Sequence, residues 1–229
     1  MNLTKLTKGV ALLHFGRAGS TLIATMIAQN RLYFDDAELF EKVRVGDLEL
    51  PENIKSKPGL FFKHRKTKFY YQNYLVSIKP IPEEHLRASL LDMDYEQLID
   101  ALNHAGIAKF IIIKRSNYLS QIISKLLAIE WKKYHFRSNE KSEIKKITIN
   151  CNEIQFGTFR GSLIDLFQKY DKYYEQMERV TPNALILNYE EDIESDPLVG
   201  YAKIRDYLKL RKNIRKYYYQ NLIGLLTKK

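Results

Sequence analysis

Gly9-Val10-Ala11-Leu12-Leu13-His14-Phe15 runs straight into Gly16-Arg17-Ala18-Gly19-Ser20-Thr21, and the reading of this junction decides the fold. The first part is a short apolar run, the pattern of a strand buried on both faces of a parallel sheet. In the second part Gly16 and Gly19 permit a tight backbone path into a helix that continues to about Gln29, with Ser20 placed to cap it. A loop that enters a helix at the carboxyl end of a parallel strand presents unpaired N–H groups and the positive end of the helix dipole. That combination binds phosphate. Arg17 adds fixed positive charge, and the hydroxyls of Ser20 and Thr21 add donors, so Arg17, Ala18, Gly19, Ser20 and Thr21 form a candidate anion cradle. The same residues also suit a plain strand-to-helix turn with Ser20 as its cap.

Working outward, Ala108-Lys109-Phe110-Ile111-Ile112-Ile113-Lys114 is rich in β-branched residues and precedes a helical pattern from Asn117 to about Tyr134. This is a second strand-loop-helix unit. A third strand is expected at Ala184–Tyr189, between the Pro182-Asn183 turn and Asp196-Pro197, and a fourth at Tyr74–Lys79. Helical patterns occupy Asp94–His104, Ser162–Arg179 and Leu198–Leu208. The stretches 45–68 and 137–155 read as irregular, the second with one strand near Ile147. Strands alternating with helices predict an α/β fold: a single domain over residues 1–229, with a central, mainly parallel β-sheet flanked by helices and a P-loop-like strand-loop-helix at its start.

A chain of 229 residues with 45% apolar content can bury one sizeable core. No stretch reaches the roughly 18 to 20 apolar residues of a membrane span, and no signal-peptide core follows Met1-Asn2-Leu3-Thr4-Lys5, so a soluble, cytoplasmic protein is expected. Cys151 is the only cysteine, which rules out an internal disulfide and a cysteine-based metal cluster. The histidines show no ligand spacing such as HExxH, so no metal is expected. A net charge of +10 predicts attraction to anions: nucleic acid, an anionic membrane or a small polyphosphate. No RNP sequence or helix-turn-helix stands out, which disfavours nucleic acid as the partner.

The first loop is not a Walker A segment, because GxxxxGK[ST] requires a lysine directly before the hydroxyl residue and Gly19-Ser20-Thr21 has none. After the second strand, Lys114-Arg115-Ser116-Asn117 places another guanidinium at a strand end in front of a helix, where it can fork onto phosphate oxygens. Ser124 follows about two turns into that helix.

These two segments together resemble the sulfotransferases that use 3′-phosphoadenosine 5′-phosphosulfate (PAPS). That family pairs a strand-loop-helix for the 5′-phosphosulfate with an Arg-to-Ser motif for the 3′-phosphate. Arg17-Ala18-Gly19-Ser20-Thr21 is similar to the family's Arg-Ser-Gly-Ser-Thr loop. Arg115, Asn117 and Ser124 match the Arg-x-Asn-x-x-x-x-x-x-Ser form of bacterial and carbohydrate-type members. Leu187-Asn188-Tyr189-Glu190-Glu191-Asp192 with Asp196-Pro197 looks like the family's Tyr-Glu-Asp-Leu strand and its Asp-Pro turn. Tyr74-Leu75-Val76-Ser77-Ile78-Lys79-Pro80 looks like a further family strand. The family's Arg-Lys-Gly-x-x-Gly-Asp-Trp segment is missing, and Arg211 and Arg215, within Arg211-Lys212-Asn213-Ile214-Arg215-Lys216, are the candidate substitutes on the nucleotide.

What the resemblance implies is an enzyme with PAPS as sulfuryl donor and adenosine 3′,5′-bisphosphate (PAP) as product, no metal, and a carbohydrate or glycolipid acceptor. The architecture implied is shared with nucleotide kinases, and a P-loop-like kinase or other nucleotide-binding enzyme is the alternative. In the sulfotransferase reading Arg17 neutralises the leaving phosphate and Glu38 matches a family carboxylate that takes the acceptor's proton. His85 is the second candidate base. Glu38 equally suits the polar face of an amphipathic helix over Asp35–Val43. His14 reads as a core or loop-supporting residue, and Lys63-His64-Arg65-Lys66 as a basic loop open either to an anionic acceptor or to solvent.

Overall fold

Strand β1 (Gly9–His14) runs through the middle of a five-stranded sheet, and all of its residues are buried. The computed structural model describes residues 9–29, 33–39, 42, 58–67, 73–81, 93–130, 148–156 and 159–210. On one side β1 pairs with β3 (Asn73–Ile78), which pairs in turn with β2 (Tyr33–Glu38). On the other it pairs with β4 (Ile107–Lys114), and β4 with β7 (Leu185–Asn188). Every pairing in this sheet is parallel. A separate antiparallel pair joins β5 (Ile154–Phe156) and β6 (Phe159–Gly161). The α/β architecture expected from the alternating pattern is what the chain adopts.

Alternate residues of the central strands feed two cores, as the pleat requires. Val10, Leu12, Leu75, Ile111, Ile113 and Leu187 face a layer made by α1 (Ser20–Ala28) and α6 (Pro197–Leu208). Ala11, Leu13, Tyr74, Val76, Phe110 and Ile112 face the opposite layer. That second layer contains α2 (Pro58–Thr67), α3 (Tyr95–His104) and α5 (Leu163–Val180), together with Ile122 of α4 (Tyr118–Glu130). Helix starts are written locally. Asp94 with Gln97 and Ser162 with Asp165 form capping boxes, and Asp196 caps a helix whose first residue is Pro197.

Two expectations are corrected. Residues 58–67 are helical rather than irregular, because Phe61 and Phe62 are buried side by side in the core, and this places Lys63-His64-Arg65-Lys66 on a helix. Lys66 Nζ donates to the carbonyl of Gly106 at 3.1 Å, beside the Gly9 amide that bonds the same carbonyl at 3.3 Å, so the basic run ends at the amino edge of the sheet. The six residues of β1, at about 3.3 Å each, put it roughly 20 Å from Gly16. Residues 35–38 belong to β2 and not to an amphipathic helix, because Asp35 and Glu38 pair with Leu75 and Ser77 of β3 on either side of an irregularity at Asp36 and Ala37. The expected strand near Ile147 lies outside the described residues.

What fixes β2 is Asp36, a carboxylate only 1% exposed. Tyr74 Oη donates to Oδ2 at 2.6 Å, Lys42 Nζ to Oδ1 at 3.0 Å, and Arg65 of α2 grips both oxygens. Burial pushes the Asp36 carboxyl up, but the bonds from Arg65, Tyr74 and Lys42 outweigh it and hold the group below its ordinary value. Asp36→Ala leaves the part-buried Arg65 guanidinium and the buried Tyr74 hydroxyl without their acceptor and is expected to cost about 3 kcal/mol in denaturant unfolding. Since the folded value is depressed, the wild-type contribution is complete above about pH 4 and fades as pH falls further, whereas the variant lacks this acid-sensitive component.

Candidate functional site

The carboxyl ends of the parallel strands gather the chain's polar loops at one edge, and β1 supplies the central one. Beyond His14 the backbone turns left-handed three times, at Gly16 (φ 82°), Arg17 (φ 50°) and Gly19 (φ 75°). At Gly19 the conformation is compounded by contact: a Cβ there would lie 3.0 Å from the Tyr189 ring and 3.2 Å from Ile193. Arg17 has no such licence, and its left-handed backbone stores about 1–2 kcal/mol. Gly19, not Ser20, is the N-cap of α1, and no side chain caps it. Ser20 is the first helical residue and is buried; Ala18 is fully buried; Thr21 is exposed. The expected hydroxyl cap is therefore replaced by a left-handed glycine.

His14 supports this loop. Its Nδ1 accepts the Gly16 amide at 3.0 Å, so Nε2 carries the proton and faces Ser77 Oγ at 2.9 Å. Glu38, the last residue of β2, comes within 3.8 Å of the same Nε2 and pairs with Lys79 Nζ. Lys79 follows β3 directly and its side chain passes beneath Gly16, where a Cβ would meet its Cε at 3.5 Å. Sequence reasoning quoted Lys79 as the end of a strand and assigned it no role. The signal available was a cation directly after an apolar run, as Arg115 stands directly after β4.

The second loop is bound to the first. Arg115 Nη1 donates to the carbonyl of Arg17 at 2.8 Å, and its guanidinium lies over the Tyr189 ring, 4.4 Å from the centroid. Arg17 Nε donates to Ser124 Oγ at 2.9 Å, and Gln121 Nε2 to the carbonyl of Gly16 at 2.6 Å. Ser124 thus meets Arg17 in this structure, while the resemblance pairs it with Arg115 on one phosphate.

An anion already sits in the second loop. The Glu190 carboxylate accepts the amides of Ser116 at 2.9 Å and Asn117 at 3.1 Å, and Arg115 Nε at 3.2 Å. Burial raises the Glu190 pKa, but those two amides, its own backbone amide and Arg115 outweigh it and hold it low. Asn117 caps α4 by accepting the Ser120 amide at 2.9 Å, and Asn188 Nδ2 donates to Ser116 Oγ at 2.7 Å. The segment Tyr189–Asp192 therefore acts at three points: Tyr189 under Gly19, Glu190 in the second loop, and Asp192 accepting the Asn188 amide at 2.9 Å.

His85, Arg211 and Arg215 lie outside the described residues. Among those described, no group of three or more histidine, cysteine, aspartate or glutamate side chains is placed to hold a metal ion. Comparison with protein-family models finds no match to this chain, and comparison with curated proteins finds none either.

Gly19→Ala combines a left-handed backbone with a clash against the Tyr189 ring. It is expected to lower unfolding free energy by about 1–3 kcal/mol, read by chemical denaturation, and to displace Tyr189. An unchanged midpoint would contradict this account of the loop.

Proposed function

We propose that this chain is a sulfotransferase that moves the sulfuryl group of PAPS to an acceptor hydroxyl by in-line displacement, with a carbohydrate or glycolipid as acceptor. The observation that carries the reading is the pair of anion-receptive loops at the ends of the adjacent strands β1 and β4, tied together through the Arg17 carbonyl and Arg115. A donor with anionic groups at both ends of its ribose fits a site with two such loops. Residues 17–21 take the 5′-phosphosulfate. Arg115 and the amides of Ser116 and Asn117 take the 3′-phosphate, in the place where the Glu190 carboxylate now lies.

In the transfer, the acceptor oxygen attacks sulfur while the bond from sulfur to the 5′-phosphate oxygen breaks, and charge grows on that phosphate. Arg17 and Lys79, on either side of Gly16, neutralise it. The acceptor's proton passes to Glu38, whose carboxylate stands between Lys79 and His14. His14 takes no proton in this scheme, since its Nδ1 is committed to the Gly16 amide and its Nε2 to Ser77.

Calorimetry with PAP, ATP and a short oligonucleotide tests the donor directly: PAP binds and the other two do not. ATP binding without PAP binding would point instead to a kinase-like enzyme. Arg115→Ala removes the guanidinium's bonds to the 3′-phosphate and also its hold on the Arg17 carbonyl in the 5′ loop. It is expected to weaken PAP by about 10- to 100-fold and adenosine 5′-phosphosulfate by a smaller factor that is still measurable. Glu38→Gln keeps PAP affinity and lowers turnover by about 100-fold or more. Unchanged turnover would remove Glu38 from the reaction.

A further inference from the structure

Gln121 lies in the first turn of α4, 3% exposed, and spends its amide nitrogen on the Gly16 carbonyl at 2.6 Å. Its own Oε1 is buried with no hydrogen-bond partner. For packing alone this is a poor residue, because methionine fills a similar volume without an orphan acceptor. The position retains a glutamine at the expense of one unsatisfied oxygen, and what it gains is a donor aimed at one peptide of the first loop.

The consequence of that donor follows from peptide geometry. In a trans peptide the carbonyl of one residue and the N–H of the next point in opposite directions, and the described residues contain no cis peptide. Gln121 pulls the Gly16 carbonyl toward α4, so the Arg17 N–H is turned away from α4. Arg115 takes the next carbonyl, that of Arg17, at 2.8 Å, and so turns the Ala18 N–H away from its own guanidinium. Neighbouring peptides are thereby set from the carbonyl side, in a stretch where Gly16 and Arg17 are both left-handed and no regular ladder holds the backbone.

We infer that Gln121 is a positioning residue for the first anion loop: by anchoring the Gly16 carbonyl it presents the Arg17 N–H to the 5′ anion. The inference rests on the two-ended nucleotide reading for its ligand and on the geometry of the loop for its mechanism. Gln121 itself touches neither end of the nucleotide.

The test uses the full chain, labelled with ¹⁵N, and three probes: inorganic sulfate, adenosine 5′-monophosphate and adenosine 3′-monophosphate. In the wild type, sulfate shifts the amide resonances of Arg17 and Ala18. In Gln121→Met the Arg17 shift is lost, 5′-monophosphate binds about tenfold more weakly, as the loss of one buried donor implies, and 3′-monophosphate binding changes by less than about twofold. Gln121→Leu, which also lacks the donor and leaves no buried polar atom, behaves the same way and serves where the methionine variant does not fold. A general structural role would instead weaken both nucleotides equally, and that result overturns the inference. So does a wild-type titration in which sulfate leaves the Arg17 amide unmoved. Sulfate shifts that depend on Gln121, found in a protein that binds no PAP, uphold the loop mechanism while removing the sulfotransferase reading.

Discussion

A strand covered on both faces can offer polar chemistry only at its ends, and this constraint on β1 organises the molecule. Every residue from Gly9 to His14 is buried between two helical layers. The first position where backbone donors can meet a ligand is therefore the Gly16 turn. Because all pairings in the sheet are parallel, β2, β3, β4 and β7 deliver their own ends to the same edge: Glu38, Lys79, Arg115 and Glu190 arrive there by topology, although up to 152 positions separate them in the chain. Ligand sites in open parallel sheets form at the carboxyl ends of strands for this reason.

The parts legible in the sequence were those with a local cause. The apolar runs at β1 and β4 and the Asp94, Ser162 and Asp196 helix starts each carry their instruction within a few residues, and the elements fall within a residue or two of where the pattern puts them. Residues 58–67 were misread because Pro58 and a run of cations resemble a loop, whereas the deciding term is the burial of Phe61 and Phe62 in a core assembled from distant segments. For Glu38 a place on a helix stayed open beside the base role because Leu39 and Phe40 follow it; only the pairing of β2 with β3, held by Asp36, makes it the end of a strand. Lys79, Gln121 and Glu190 went unassigned as site residues for the same reason. Their roles exist only as contacts across the sheet edge, and no spacing rule encodes them.

The two loops also prove less separable than their distance in sequence suggests. Arg115 stands at the crossing: one nitrogen on the Arg17 carbonyl, another on Glu190, and its guanidinium over Tyr189, whose ring in turn would have to give way to a side chain at Gly19. A guanidinium can do this because its donors are fixed in one plane and its faces remain available for stacking, whereas a lysine offers a single point charge. Movement of Arg115 toward a phosphate would be felt at Arg17 and Gly19 together, so the energies of the two anion loops are coupled by shared atoms.

Glu190 gives that coupling a direction. Its carboxylate completes the second loop with two amides and a guanidinium, which is the donor set that a phosphate oxygen needs. With the glutamate in place, the Ser116 and Asn117 amides and Arg115 Nε are hydrogen-bonded and the Arg115 guanidinium lies over the Tyr189 ring, so these donors are already gathered before any ligand arrives. A phosphate entering there exchanges one anion for another instead of desolvating bare donors. The exchange carries little net electrostatic gain, because the outgoing carboxylate gives up comparable bonds, and discrimination then falls to geometry. In the proposed reading, a phosphate on the ribose of a nucleotide whose other end lies in the Gly16 loop would have that geometry. In the proposed nucleotide reading, the second loop would then favour ligands that also occupy the first.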